Sequence, residues 1–502
     1  MPDHAVWDLM VDWDSMRDSS LVPQIAVIGG GITGLAAAVT LRQTLPQAKV
    51  TLFEGNQRLG GALWTKTETL QRASGEGSFL IEQGADSFLV DDPATLEFLE
   101  RADCADDLIP TAAENRRAFV LHNGKLLPTP AEFALLQPRK LRPLLTTPLL
   151  SLSARLRAAA EFLIRSGEVD EESLADFARR RFGHQVYDRL IEPLVAGIFT
   201  ADGEKLSLQA ALPKFAAMEQ EHGSLIRAAW KNRKHKQSDE TLGSGARYGK
   251  FVTPRGGFSS LVERLVEQLP GDGISLGSQV TALDQRDAKW AVRCKDTPTA
   301  SDSDEAIFDA VIVTTPSAHA CTMLESVDKE LARLLGQIEA ASSVVVSFAF
   351  CRADIRHPLD GFGFVVPRTA NRPLLAASFP SVKFPGRAPD DCVLIRTFLG
   401  GALRPEFVDL PDEELRKIAQ AEISEILGIS GQPLFVQFAR WRNAMPQYHL
   451  GHLERVRKIE NRAADVPGLS LGGNYLHGVG IPQCVRSGVQ AASQVVAFLN
   501  KS

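Results

Sequence analysis

Residues 24–28, QIAVI, form a short apolar run that breaks into glycines and resumes as an apolar helical stretch over 35–44. A second strand, KVTLFE, follows at 49–54. Strand, helix and strand within about 30 residues predict the start of a parallel sheet. From 131 to 250 the pattern turns helical, with helices expected at 154–165, 172–182 and 187–195, and Pro138, Pro143 and Pro148 interrupting the first part. Strand texture returns after Phe251. Short strands are expected at 274–283, 290–294, 310–314 and 361–366, and longer ones at 341–350 and 393–399. The tail, 469–499, reads as a strand, a glycine-rich loop and a closing helix. No internal repeat and no low-complexity tract interrupts the chain.

The pattern predicts an α/β fold with a Rossmann-type dinucleotide-binding domain assembled from residues 23–115, 251–320 and 440–502. A mixed-sheet substrate domain is expected from 116–130 and 321–439, and a helical insertion from 131–250. Residues 1–22, with Trp7, Trp13 and five Asp against one Arg, read as a disordered extension or, alternatively, a short docking helix. Hydrophobic residues at 44% and charged residues at 23% are ordinary for a globular enzyme. The net charge of −6 excludes a general nucleic-acid binder, which needs a strongly basic face. No apolar run approaches the ~18 residues a membrane span needs, and the N-terminus lacks a secretory pattern. The six cysteines contain no CxxC pair, so a reducing, cytoplasmic home is expected.

Gly29, Gly31 and Gly34 make a G-x-G-x-x-G turn between strand and helix. The first permits the turn, the second lets backbone approach a pyrophosphate, and the third lets helix and strand pack closely. A diphosphate there would meet the free N–H groups of a helix N-terminus. Glu54, 20 residues after Gly34, ends the second strand where a carboxylate accepts bonds from a ribose. Arg58, Gly60 and Gly61 follow, and Glu82–Asp86 offers another close approach. The glycine-rich tail, 472–482, then places Pro482 at the first turn of the closing helix. A cofactor gripped by both ends of the chain suits FAD better than NAD.

With both ends read, the chain resembles the protoporphyrinogen oxidase family of the FAD-dependent amine-oxidase superfamily, which includes coproporphyrinogen III oxidases. The more specific matches are EQGADSF (82–88), TPRGGFSSLVERL (253–265), GFGFVVP (361–367), FPGRAP (384–389), MPQYHLGH (445–452) and GNYLHGVGIPQCVRSG (473–488). The resemblance implies noncovalent FAD. Its diphosphate would lie on Gly29, Gly30, Gly31, Ile32, Thr33 and Gly34, its ribose on Glu54, and Arg58, Gly60, Gly61 and Ala62 would follow along the cofactor. Gly84, Ala85, Asp86 and Ser87 would touch the isoalloxazine side. Val280 would hold the adenine, and Trp441, Gly473, Val479, Gly480 and Ile481 would line the flavin. Cys484 is expected to form no bond to it.

For the substrate, the resemblance implies Phe362 and Gly363 on one side of a tetrapyrrole, with Val365, Leu375 and Phe398 as apolar walls. Counting back from Gly124-Lys125-Leu126 puts Ala118 where the family often has a propionate-binding arginine. Arg117 or Arg116 would take that role through a local shift, or the two form a solvated pair. The implied reaction is oxidation of protoporphyrinogen IX to protoporphyrin IX in haem synthesis, by hydride transfer to FAD and reoxidation by molecular oxygen to hydrogen peroxide. Coproporphyrinogen III is the alternative substrate. An amine or carotenoid oxidoreductase of the superfamily, or a non-enzymatic flavin scaffold, are further alternatives. Such chemistry rests on the cofactor, so no acid–base residue is assigned. His449 and His452 read as structural, and no metal is expected. The insertion corresponds to the membrane-facing part of relatives. Its 133–150 segment, apolar with Arg139, Lys140 and Arg142, predicts shallow contact with the inner face of a membrane, or a solvated lid. Ferrochelatase is the expected protein partner.

Overall fold

The computed structural model describes residues 22–72, 75–90, 92–131, 133–138, 140–167, 170–235, 251–295 and 306–501. The expectations for residues 1–21 and for Arg139 lie outside these, as do residues 236–250 at the end of the expected insertion.

A five-stranded parallel sheet runs in the order Ile274–Ser275, Lys49–Phe53, Gln24–Ile28, Ala310–Val313, Leu469–Leu471. Strands buried on both faces need continuous apolar sequence, and AVIV at 310–313 is buried throughout. The sheet therefore gathers strands from the beginning, middle and end of the chain. The helices Ile32–Thr44 and Ile481–Leu499 pack together on one side of it. The expected strand over 274–283 is corrected. Gly277, at φ +67°, turns the chain between Ile274–Ser275 and Val280–Arg286, and the second piece joins a separate antiparallel sheet with Lys289–Cys294.

A second, seven-stranded mixed sheet has the order Phe435–Pro446, Ala340–Cys351, Cys392–Gly400, Leu374–Ser378, Gly363–Val365, Phe119–His122, Lys125–Pro128. Opposed residues in paired strands share a face. One face, with Phe364, Phe119, Val346, Phe348 and Leu399, packs as an apolar core under the helix Asp412–Leu427. The other face carries two rows. One is Ala439, Val345, Phe398, Ala376, Val365 and Val120. The next is Gln437, Ser347, Arg396, Ser378 and Gly363.

The insertion is helical from Leu141–Thr146 onward but begins with a small hairpin, Phe133–Ala134 against Gln137–Pro138. Its helices differ in detail from the sequence pattern. Leu152–Ala159 passes into a 3-10 turn, Ala160–Leu163, and the expected helix at 187–195 is a π turn, Tyr187–Ile191, leading into Glu192–Phe199. Inside it, Glu161 and Arg181 are both fully buried and ion-paired. Glu161 also accepts from Leu225 N (3.0 Å) and Ile226 N (3.2 Å), and Arg181 donates to the carbonyls of Ile164 and Gly223 (both 3.0 Å). Buried charges persist only when paired and fully hydrogen-bonded in this way.

The 133–150 segment faces outward only in part, with Lys140, Arg142, Leu145, Thr146 and Pro148 exposed among its described residues. Leu144, Leu149 and Leu150 are buried in the insertion's own core. Its exposed apolar side chains stand elsewhere, at Leu152, Leu156, Leu163, Ile198 and Trp230, with Leu145 alone among the earlier leucines. Among the described residues, no helix is long and apolar enough to cross a membrane.

Candidate functional site

The two glycine-rich turns meet. Gly472 and Gly488, in and after the tail loop, both pack on Thr33 in the first turn of Ile32–Thr44. Gly473 N donates to Ser487 Oγ (3.0 Å), and Gly472 N donates to Val313 O (3.0 Å), fastening the tail to the parallel sheet. Gly480 stands at the N-terminus of Ile481–Leu499. Tyr448 Oη bridges the loop, accepting from Gly478 N (2.7 Å) and donating to Asn474 O. Val479 packs against the insertion's core.

At the first turn, Gly34 must be glycine, since a Cβ there would overlap the carbonyl oxygen of Gly29. A Cβ on Gly31, by contrast, would meet no atom within 4 Å. The helix it begins has no side-chain cap. Unsatisfied N–H groups of Ile32 and Thr33 at such an end favour an anion. Glu54 is oriented by accepting from Gly30 N (2.8 Å) on one oxygen and from Asn56 N (2.8 Å) and Nδ2 (2.6 Å) on the other. Residues 275–278 run beside it, Glu54 N donating to Ser275 O (2.9 Å) and Ser278 N to Glu54 O (2.8 Å), which brings Val280 to this edge.

Gly60 pairs with Gly31, and Gly61 lies against its Cα. Arg58 donates to Leu59 O (3.2 Å) and Gly61 O (2.7 Å) and lies over Trp64, 4.4 Å from the ring centre. Its guanidinium braces the glycine loop. Gly84 packs so closely on Ala62 that a Cβ would overlap Ala62 O. Trp441 closes over Gly84 and donates from Nε1 to Gln83 O (2.9 Å).

Behind this segment sits a group of charges. Asp86 bonds Lys383 Nζ (3.0 Å) and lies 3.5 Å from Arg396. Burial alone would raise the Asp86 carboxyl, but Lys383 and Arg396 outweigh it and hold the group below its ordinary range. Arg396 is 2% exposed and donates to Gly84 O. Arg387 donates to Thr253 Oγ1 (2.8 Å), Pro254 O (2.8 Å) and Arg255 O (3.1 Å), joining the FPGRAP and TPRGG stretches. Glu82 accepts from Thr65 Oγ1 (2.8 Å) and Phe258 N (3.1 Å), and burial pushes its carboxyl up to about 7.

Sequence reading did not single out Arg396, Lys383, Arg387 or Tyr448. Arg396 alone left a trace, a charge inside the apolar run VLIRTFLG.

The residues expected to line a substrate share one region of the second sheet. Gly363, Val365 and Phe398 stand on the face that carries Arg396, and Trp441 shares that face. Phe398 lies under Arg396, 5.4 Å away. Val365 faces Gly197 of the insertion. Leu375 sits at a bulge, its Cδ1 beside Gly401. Phe362 is buried and fixed by Arg117 O, which accepts from its N (2.9 Å). Arg117 itself is half exposed and paired with Asp360. Arg116 donates to Ala112 O (2.9 Å) and Thr111 O (3.0 Å). Both line a cavity of about 340 Å³ with Thr129, Phe133 and Thr146.

His452 is buried with its ring stacked 4.0 Å from Tyr448 and its Nε2 bonded to Leu476 O (3.1 Å). Burial lowers it to about 4, so it is neutral. His449 lies 3.8 Å from Glu339. Among the described residues no cluster of three metal-ligating side chains occurs.

Residues 32–496 match the family described as flavin containing amine oxidoreductase. The chain belongs to that family. As a member of the flavin-containing amine oxidoreductases it is an FAD-dependent oxidoreductase of mixed α/β fold. It is 32% identical to the coproporphyrinogen III oxidase of Bacillus subtilis (strain 168), over 95% of this chain and 98% of the relative. It is 28% identical to protoporphyrinogen oxidase 2 of Arabidopsis thaliana, over 95% and 94%. A crystal structure from Exiguobacterium sp. 255-15, provisionally named protoporphyrinogen oxidase, is similar at a TM-score of 0.78 and 28% identity, covering 94% of this chain and 98% of that one. Cyclohexylamine oxidase from Brevibacterium oxydans IH-35A, at a TM-score of 0.65 and 14% identity, shares the fold.

The residues present fit FAD. The uncapped helix end opening onto empty space at Gly31 suits a diphosphate, and the fixed carboxylate of Glu54 suits a ribose.

Proposed function

We propose that this flavoenzyme is an oxygen-dependent porphyrinogen oxidase with coproporphyrinogen III as its preferred substrate. The observation that carries the reading is full-length similarity to three bacterial proteins named coproporphyrinogen III oxidase, at 29–32% identity and at least 94% of this chain. A flat macrocycle also suits the sheet face, where Phe398, Val365 and Gly363 form a wall facing both the Gly84 segment and the insertion. The second reading, protoporphyrinogen IX, is the one expected from sequence, and plant relatives of that name at 27–30% identity favour it.

In this reading residues 29–34 hold the FAD diphosphate, Glu54 the ribose, and the backbone near Val280 the adenine. Gly60, Gly61 and Ala62 follow the cofactor, and Gly84–Ser87, Trp441, Gly473 and Val479–Ile481 surround the isoalloxazine. Bound FAD would supply the redox chemistry, accepting hydride from carbon and passing the electrons to oxygen. The chain's own task is to bind, orient and exclude water. Trp441 and Phe398 supply apolar cover, and Arg116 and Arg117, which line a shared cavity, supply cationic donors for a propionate. The exposed leucines of the insertion, with Trp230, would rest on a membrane surface or a ferrochelatase.

Oxygen consumption by the purified yellow protein, compared on coproporphyrinogen III, protoporphyrinogen IX and a set of amines, tests this. Faster turnover of coproporphyrinogen III is expected. Faster turnover of protoporphyrinogen IX would favour the second reading, and turnover of amines alone would overturn both.

A further inference from the structure

Arg396 is out of place by its neighbours. It lies in Cys392–Gly400, where every other residue except Phe398 is buried and all but Thr397 are apolar, glycine or cysteine. It is 2% exposed. Its terminal nitrogens reach Gly84 O and Asp86, but its Nε has no partner. The hydroxyl of Ser378, directly opposite on the next strand, also has none. Leaving such donors unsatisfied in a buried place is costly, so the arrangement calls for a reason beyond packing.

The charge balance supplies one. Arg396, Arg387 and Lys383 are three cations gathered around Asp86 and Glu82, with Asp107 also acting on Arg387. Asp86 is held ionised, while burial drives Glu82 toward its neutral form. At Asp86 itself two cations, Lys383 (3.0 Å) and Arg396 (3.5 Å), meet one carboxylate, so positive charge is in surplus beside the backbone of residues 84–86. Arginine keeps its charge under such burial, and the paired Asp86 favours the charged form of any cation placed beside it. In a medium of low polarity a fixed charge acts strongly on its surroundings, and a protein tunes a cofactor's electronics through charge placed near it.

We propose that Arg396 is a positioning residue that sets the electron affinity of the bound flavin. It fixes the Gly84–Asp86 segment through Gly84 O and Asp86, and its charge favours the reduced, more negative state of the cofactor. This rests on the reading that residues 84–87 and Trp441 border the isoalloxazine. It does not depend on which substrate is oxidised.

The test uses the FAD-loaded protein without substrate. The midpoint potential is measured for the parent, Arg396→Met, which removes the charge, and Arg396→Lys, which keeps it. Arg396→Met is expected to disfavour the reduced flavin at least tenfold, about 30 mV for a two-electron couple. Arg396→Lys is expected to stay within threefold of the parent. An unchanged potential in Arg396→Met would overturn the proposal, as would an equal loss in Arg396→Lys. If Arg396→Met fails to hold FAD, Lys383→Met takes its place, with at least a threefold shift expected and no shift overturning it.

Trp441→Phe separates the two levels of the argument. A change in its flavin absorption spectrum places the isoalloxazine at this segment, so an unmoved potential in Arg396→Met then defeats the role of Arg396 alone. An unchanged spectrum in Trp441→Phe removes the placement, and the proposal with it.

Discussion

Gly488, in the last helix, rests its Cα against the carbonyl oxygen of Thr33 in the first. No side chain fits between them, and a Cβ would also press on Ala36 and Ala37. This contact sets how closely the two chain ends approach, and with it the span the cofactor must bridge. Gly488→Ala is expected to bind FAD at least tenfold more weakly and to melt at lower temperature, read by titrating FAD into the apoprotein. Unchanged affinity would show that the two turns need not touch.

Cys484 lies one turn from Gly488, and its thiol is buried and pushed up to about 11 by that burial. The thiolate is the nucleophile, so a covalent link to flavin is disfavoured. Acid precipitation should release all the FAD into the supernatant, from the parent and from Cys484→Ala alike. Yellow colour retained in the washed precipitate of the parent, and lost in the variant, would contradict this.

Glu82 carries a testable pH dependence. Burial raises its carboxyl from an ordinary 4.5 to about 7. Between those values the folded protein holds a proton that the unfolded chain has released. Its contribution therefore favours folding at low pH and is lost as pH rises through about 7. Glu82→Gln removes the titration while keeping an acceptor for Thr65 or Phe258. Its melting temperature should fall less than the parent's between pH 5 and 8. Parallel curves would count against the assignment.

Within the insertion, Arg181→Met would strand the buried Glu161 carboxylate. Breaking one side of such a pair costs about 3–5 kcal/mol, and the thermal midpoint should drop accordingly. Substituting both residues, Glu161→Leu with Arg181→Met, is expected to recover part of the loss. A single variant as stable as the parent would show the pair to be dispensable.

How much of this was legible in sequence follows from how local each role is. The packing of Gly34 on Gly29 and the bond of Glu54 to Gly30 N lie within one strand–helix–strand unit, so spacing sufficed to bring them together. The division at Gly277 was hidden because residues 274–283 read as one strand, although the glycine's positive φ sends its halves to different sheets. The bonds of Arg58 to Leu59 O and Gly61 O are ones that spacing alone does not reveal. That Leu144, Leu149 and Leu150 turn inward was not legible, because apolar sequence does not say which neighbours will cover it. Arg396 was visible only as a charge in a greasy strand, and its partners Gly84 and Asp86 lie some 310 residues away in sequence, with 312 separating Arg396 from Gly84.

The parallel sheet also bears on how the protein matures. Its central strand, 24–28, leaves the ribosome first, while the edge strand Leu469–Leu471 and the helix that seats against Thr33 are made last. Contacts so distant along the chain form slowly. The glycine turn at 29–34 must wait for residues 472–488 before the packing on Thr33 can form.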